Sequence, residues 1–257
     1  TADTFASVKE ARNRGAKVLS LINVEGSSID RESDSRLYVY AGPEIAVAST
    51  KAYTAQLLCL LLFSLYLGKQ RGTLDERTYS ELTEELRSIP QKMQWILDNH
   101  ETVKTCAEKL SDSSSMLYLG RSYNYPNALE GALKLKELSY IHAEGCGAGE
   151  MKHGPIALID DKFPVICLAP AGNVYEKMLS NIQEIRARKG VLIAIASEGD
   201  EDISRQVDHV IYVPKTHEML SPFLTVIPLQ LLAYYITIIK GLDVDQPRNL
   251  AKSVTVE

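Results

Sequence analysis

The sequence predicts an α/β fold made of two copies of one unit, each a parallel sheet with helices on both faces. A segment at 12–39 recurs in pattern roughly 174 residues later, at 186–213. In each copy, two short apolar runs are separated by a polar turn and followed by a long apolar helix. Short runs whose side chains are apolar on both faces of the strand are typical of parallel strands buried between helices. The spacing fits a duplicated domain better than a solenoid.

The first copy contains, in order, the end of a helix, a strand at 18–22, a second strand ending near Val39, and a long apolar stretch. The most apolar part of that stretch, 57–67, is about half the length of roughly 20 residues that a membrane helix needs. We therefore expect a buried core helix there. The first residues carry neither an initiator methionine nor a signal pattern, which suggests that the chain was cut from something longer.

The second copy is more complete than the first. Strand-like runs at 116–120 and 165–168 and a helix at about 125–140 precede its repeated segment, and the first copy has no such upstream strands. Between the copies, an amphipathic helical connector is expected, with Pro90 as a kink or break. The predicted domains are the rear part of a first lobe at 1–68, the connector at 69–110, a second lobe at 111–242 and a tail at 243–257.

Composition excludes several classes of function. A net charge of −5 and a pI near 5.6 argue against nucleic-acid and membrane partners, because both need a basic field. The four cysteines show no C-x-x-C spacing, so they are expected to be reduced thiols of a cytoplasmic protein. Neither a metal site nor a cofactor is expected.

One candidate site lies on the helix at 125–140. Glu130, Lys134 and Glu137 are spaced at i, i+4 and i+7, which places them on one helix face. On spacing alone, a solvated Glu–Lys pair is the commoner explanation. A functional role requires that this face line a pocket.

A second candidate is the glycine-rich loop at 143–155, which contains His153. Glycine allows a ligand to approach the backbone closely, and histidine suits proton transfer near neutral pH. A single loop histidine is more often structural or solvated than catalytic.

Two further segments have simple alternatives. In the segment at 42–51, Ser49 or Thr50 is placed to cap the following helix, and capping is the commonest reason for these residues there. The same N–H groups also suit an anion or a sugar hydroxyl. The tail at 243–257 has no period of its own, and a frayed end is the default for a terminus.

Five motifs considered together resemble the isomerase half of glucosamine-6-phosphate synthases. They occur in family order over nearly the whole chain: GPEIAVASTKAY at 42–53, LEGALKLKELSYIHAE at 129–144, GEMKHGPIALID at 149–160, PLQLLAYY at 228–235 and DQPRNLAKSVTVE at 245–257. The last is the most specific, because sugar isomerase (SIS) proteins that are deglycases or regulators share the fold without that tail. The resemblance implies SIS-type lobes, the first of them incomplete.

The resemblance also implies a reaction, in which fructose 6-phosphate is aminated by channelled ammonia and isomerised to glucosamine 6-phosphate. Lys252 matches the lysine that forms a Schiff base with the open-chain sugar. Glu137 matches the base that moves a proton between C1 and C2, and Lys134 matches a lysine that assists it. His153 matches the ring-opening histidine, which reaches the site from the other subunit of a homodimer. A tail that closes over the sugar as a lid would desolvate Lys252.

Other positions match sugar contacts. Val47, Ser49 and Ala251 correspond to substrate-binding residues, and Thr1 corresponds to the last residue of a Ser-Gln-Ser-Gly-Glu-Thr phosphate loop. The family's glutaminase domain, which supplies ammonia from glutamine, has no counterpart in this sequence. Two alternatives stay open, a SIS-type deglycase or isomerase and a non-catalytic sugar-phosphate sensor. The tail argues against the first, and the presence of Lys252 without most of the phosphate loop argues against the second.

Overall fold

The computed structural model describes residues 2–252, which form two compact units. The first unit contains the chain up to Tyr79 together with the tail from Asp245, and the second contains Ser80–Val244. The division therefore falls inside the predicted connector, and the tail belongs to the first unit. The predicted domain boundaries stay predictions.

The first unit contains a two-stranded parallel sheet, in which Leu19 pairs with Ser35. Its strands follow the predicted apolar runs, and a short helix capped by the Ser27 hydroxyl lies between them. The elements are α1 (Ala2–Asn13), β1 (Leu19–Ile22), α2 (Ser28–Glu32), β2 (Ser35–Tyr38) and α3 (Lys51–Gln70).

The expectation that α3 is a buried core helix is wrong for the described chain. Leu65 is its one buried residue, while Leu60 and Leu62 are each 49% exposed. The corresponding helix of the second unit is buried because other helices of that unit pack on it, and no such helices are described in the first unit. Within residues 2–252, two helices, at 51–70 and 218–239, are long and apolar enough to cross a membrane by length and composition. The second is mostly buried inside the protein.

The second unit is a five-stranded parallel sheet with strand order β4-β3-β5-β6-β7 and helices on both faces, as predicted. Successive residues of β3 alternate between these faces. Leu117 and Leu119 pack in a cluster with α7 and α8, whereas Tyr118 lies against α6. The strands are β3 (Ser115–Gly120), β4 (His142–Gly147), β5 (Pro164–Ala169), β6 (Val191–Ser197) and β7 (His209–Val213); the helices are α5 (Glu101–Leu110), α6 (Tyr125–Ser139), α7 (Tyr175–Arg186), α8 (Glu201–Ser204) and α9 (Ser221–Ile239).

The predicted repeat is visible in the hydrogen bonds of the two units. The Asp34 carboxylate accepts the Val18 N–H at 2.9 Å, and the Asp208 carboxylate accepts the Leu192 N–H at 2.7 Å. In both copies the backbone N–H of the aspartate also donates to the carbonyl of the same residue, Val18 or Leu192. The bond from Val18 lowers the pKa of Asp34 below its ordinary value. One turn geometry thus fixes the strand register of each copy.

The helix between the copies, α4 (Glu76–Asp98), continues through Pro90, so the predicted break does not occur. Its apolar face buries Leu82, Ile89 and Ile96 at the expected amphipathic spacing.

Candidate active site

Helix α6 is held tightly against the sheet of the second unit. A Cβ at Gly131 would lie 2.9 Å from Leu229 and 3.1 Å from Tyr118, so the absence of a side chain permits the close contact. A Cβ at Gly145 on β4 would lie 2.6 Å from the Leu129 backbone. Glycines on both sides therefore fix the position of α6, and with it the direction of its charged face.

That face carries a buried cation between two carboxylates. The Lys134 ammonium donates to Glu137 Oε2 at 2.6 Å and lies 3.5 Å from Glu130 Oε1. Lys134 is only 2% exposed, so the alternative of a solvated ion pair is wrong. A buried ammonium needs such partners, because the loss of its hydration would otherwise cost several kcal/mol.

Glu137 is the most accessible member of this cluster. Its side chain is 22% exposed, compared with 11% for Glu130 and 3% for Lys134. One Glu137 oxygen is held by the buried ammonium, which orients the carboxylate. The arrangement can present an oriented base to a solute, with a fixed cation behind it.

His153 lies on a separate segment of the second unit, in a 3-10 turn at Glu150–His153. The turn is anchored by Met151, which is fully buried. Two residues before the turn, Ala148 donates its N–H to the Gly120 carbonyl at 3.0 Å. His153 itself is exposed. It is therefore accessible on a fixed support.

The other predicted residues belong to the first unit, where the tail contacts the loop before α3. The Val47 N–H donates to the Asp245 carbonyl at 2.9 Å. Val47 and Ser49 are half-buried, and Ala251 and Lys252 are exposed. Up to Lys252 the tail is thus tied to the loop rather than frayed. The prediction for Thr1 lies outside the described residues.

Glu44 links this loop to the tail. Its Oε1 accepts the Thr50 N–H at 2.8 Å and the Ala52 N–H at 3.4 Å, and its Oε2 accepts a hydrogen bond from the Lys252 ammonium at 2.7 Å. Thr50 is the N-cap residue of α3 but makes no side-chain capping bond. The expected Ser/Thr cap is therefore wrong, and the Glu44 carboxylate caps the helix instead.

The environment of Glu44 keeps it ionised. Burial by itself would raise its pKa, but hydrogen bonds from Lys252, Thr50 and Ala52 outweigh burial and lower the pKa below its ordinary value. Sequence reasoning missed this residue. The signal was a glutamate shortly before a helix, in a loop already selected for other residues, but its spacing of six residues from Thr50 is not that of a capping box.

The second unit also has a crevice where its strand order reverses, between the carboxyl ends of β3 and β5. Ligands of open α/β sheets commonly bind at this position. Here the Glu218 carboxylate occupies the loop that follows β5. It accepts hydrogen bonds from the backbone N–H of Asn173 at 2.8 Å and from the side-chain amide of Asn173 at 2.7 Å. The cavity beside it measures about 20 Å³, room for about one water molecule.

Metal-ligand geometry is not found in the described ranges. Within residues 2–252, no group of three or more His, Cys, Asp or Glu side chains is placed to hold a metal ion.

Comparison with known proteins places this arrangement in a family. The SIS domain family model matches residues 1–66 and 109–240. The glutamine–fructose-6-phosphate aminotransferases (isomerizing) of Chlorobaculum tepidum and Thermus thermophilus are each 54% identical to the chain over all 257 residues. The chain spans 42% of the length of each of these relatives.

Two solved structures superpose well on this chain. The C-terminal domain of glucosamine-fructose-6-phosphate aminotransferase from Francisella tularensis superposes with a TM-score of 0.90 at 40% identity, covering 96% of this chain and 70% of that one. A glucosamine-6-phosphate deaminase from Thermotoga maritima gives a TM-score of 0.76 at 24% identity, covering 99% of this chain and 72% of that one. The second likeness shows the fold alone.

Proposed function

Since the chain belongs to the SIS domain family, and within it to the C-terminal domains of glutamine–fructose-6-phosphate aminotransferases, we propose that it makes glucosamine 6-phosphate from fructose 6-phosphate and ammonia. The ammonia is released from glutamine by a glutaminase domain of the full-length protein. The observation that carries the proposal is the buried Lys134 ammonium, 2.6 Å from the partly exposed carboxylate of Glu137.

Glu137 is the base of the isomerisation. It takes a proton from C1 of the sugar and returns it to C2, which one carboxylate can do when it lies within hydrogen-bond reach of both carbons. Lys134 holds one carboxylate oxygen in place and stabilises negative charge that develops on the sugar oxygens. The low exposure of Lys134 strengthens this effect, because little water screens it.

Lys252 is the amine that forms an imine with the open-chain ketose. Its contact with Glu44 fixes it beside the loop that carries Val47 and Ser49, the proposed sugar-contacting residues, and Ala251 precedes it in the tail. The tail closes over the sugar and excludes water from the reacting atoms. Thr1, as the last residue of the phosphate loop, contributes to phosphate binding.

His153 opens the sugar ring, and it does so in the site of a second subunit. Its exposure on an anchored turn supports this role, because a shared site requires a histidine that is accessible from outside its own chain. The active form is then a homodimer in the cytoplasm.

The filled crevice of the second unit supports sugar binding by the first. By the 174-residue repeat, Tyr175 is the counterpart of Thr1, so the loop at 170–175 corresponds to the phosphate loop of the first copy. Glu218 already occupies the amide groups of that second loop. A phosphate would meet a carboxylate there, so the first copy is the one left to bind it.

The test is conversion of fructose 6-phosphate to glucosamine 6-phosphate by the protein as its gene encodes it, with glutamine or an ammonium salt as the nitrogen source. Glu137→Gln should lower kcat by at least about 100-fold, the contribution typical of a positioned general base. The neighbouring exposed residue Lys136 offers a matched control, since Lys136→Gln lies on the same helix and should leave kcat unchanged.

Other outcomes would contradict the proposal. Isomerisation without incorporation of nitrogen from either source would indicate the deglycase or isomerase class. Binding of the sugar phosphate without turnover would indicate a sensor.

A further inference from the structure

The carboxylate of Glu44 lies between the N-terminus of α3 and the amine of the tail lysine. We propose that Glu44 is the residue that positions the Lys252 amine and accepts its proton while the imine forms. This inference rests on the proposed function of Lys252. It adds a residue to the reaction for which sequence reasoning gave no role.

The geometry allows Glu44 to act as a fixed support. Its side chain is only 9% exposed, and its Oε1 is held by two backbone N–H groups at the start of a 20-residue helix. A helix N-terminus favours a negative charge, which adds to the hold on this carboxylate. The other oxygen, Oε2, is then directed to the lysine.

Lys252, by contrast, lacks support of its own. Its side chain is 41% exposed and lies in a segment without helix or strand. The bond from the Val47 N–H to the Asp245 carbonyl and the bond from Lys252 to Glu44 both tie this segment to the loop before α3. Only the second acts on the amine itself, so removing it should free the reacting group without releasing the whole tail.

The other charged group at this loop is already engaged. The Lys51 ammonium donates to the Pro43 carbonyl at 2.7 Å, so it binds the backbone of the loop. The Glu44 carboxylate faces the α3 N–H groups on one side and Lys252 on the other. The hydrogen bonds from these donors outweigh the effect of burial on the pKa and keep the Glu44 carboxylate ionised beside Lys252.

The proton balance of imine formation then follows. Glu44 takes one proton from the Lys252 ammonium, and the freed lone pair attacks the C2 carbonyl carbon while the carbonyl electrons move to oxygen. A proton passes from nitrogen to that oxygen and gives a carbinolamine. Glu44 returns its proton to the hydroxyl, which leaves as water, and the protonated imine remains paired with the Glu44 carboxylate. One proton is lent and returned, and no other reactant is needed.

The experiment is borohydride trapping of the imine between fructose 6-phosphate and Lys252, in the protein as its gene encodes it, from pH 6 to pH 9. The rate of adduct formation is measured by peptide mass. Glu44→Gln keeps an oxygen that can cap α3 but offers no proton acceptor of comparable strength. We expect its rate at pH 6 to fall about 10-fold or more, because the variant neither positions the amine nor accepts its proton. The deficit should shrink towards pH 9, because hydroxide can then remove the proton that Glu44 takes in the wild type, and only the loss of positioning remains.

Two further variants separate this role from general damage to the fold. Glu44→Asp keeps the charge on a shorter arm, so its rate should fall while its pH profile keeps the wild-type shape. Glu76→Gln removes a carboxylate from the exposed Lys69–Glu76 pair of the same unit and should change neither rate nor profile.

The outcomes distinguish this inference from the proposed function. A wild-type adduct on Lys252 that Glu44→Gln slows equally at every pH, or does not slow, overturns the role of Glu44 and leaves the function standing. If the wild-type enzyme forms no adduct on Lys252, the proposed function of the lysine is overturned, and the role of Glu44 with it.

Discussion

Replacing Lys134 by methionine tests the physical claim on which the α6 cluster depends. Methionine has a similar length and an apolar end, so it fills the space but leaves two carboxylates without their shared cation. Breaking a buried ion pair typically costs about 3–5 kcal/mol, because the remaining charge stays buried without compensation. The side chains of Glu130 and Glu137 are 11% and 22% exposed, so they keep some hydration. We therefore expect a loss of about 3 kcal/mol in the free energy of unfolding at pH 7.5.

The assay is urea unfolding followed by fluorescence of Trp95, the single tryptophan of the chain, which lies in the second unit with Lys134. The matched control is Arg87→Met, which breaks the exposed pair with Glu84 in the same unit and should cost at most about 1 kcal/mol.

Two results would support the electrostatic reasoning for Lys134. The loss should shrink at pH 5, because the carboxylates that have lost the lysine in the variant can then take up protons. The double variant Lys134→Met, Glu137→Gln should recover part of the stability, because it removes one of the two negative charges that have lost the lysine. A loss for Lys134→Met as small as that for Arg87→Met, independent of pH, would refute the claim that the buried cation holds the cluster together.

Two further predictions concern the supports of the site. Gly145→Ala should lower the free energy of unfolding of the second unit by about 3 kcal/mol or more. The new Cβ would lie 2.6 Å from the backbone of Leu129, and backbone cannot move aside as a side chain can. A urea midpoint of the variant equal to that of the wild type would show that α6 can shift. Asp34→Asn should remove an acid-sensitive part of stability: the pKa of Asp34 is lowered in the folded state, so its contribution is present above about pH 4 and is lost as pH falls through the folded pKa. Equal acid sensitivity of Asp34→Asn and wild type, measured by hydrogen exchange at Val18, would contradict that assignment.

The fold was predictable because its signals are local. The apolar runs that became β1, β3, β5 and β6 are short and bounded by polar turns, and the segment that contains β1 recurs at the roughly 174-residue spacing in the segment that contains β6. The local pattern and the repeat therefore reinforce each other. The burial of α3 was not predictable in the same way. Its composition is that of a core helix, but whether a helix is covered depends on which other helices are present to pack on it. The same composition gives a buried helix in α9, where α5 and α6 supply that cover.

The site was predictable in part, for a related reason. The spacing of Glu130, Lys134 and Glu137 placed them on one helix face, but spacing alone favoured a solvated pair. The face is buried because Gly131 lets α6 approach α9 and β3, and this is a property of three elements together. The residue types alone indicated the chemistry of the cluster, but the burial of Lys134 depends on how the helices and the sheet pack.

Glu44 shows the limit of local reasoning most clearly. A sequence window containing a glutamate, a Ser-Thr pair and a helix start favours capping by the hydroxyl, because that geometry needs only neighbouring residues. The observed cap reaches back six residues and is completed by Lys252, 208 residues further along the chain. The Glu44 carboxylate binds the N–H groups of the helix N-terminus and the tail lysine at once, so neither partner alone explains why a glutamate is at this position. A residue that joins two distant segments in this way can be found only after the fold has brought them together.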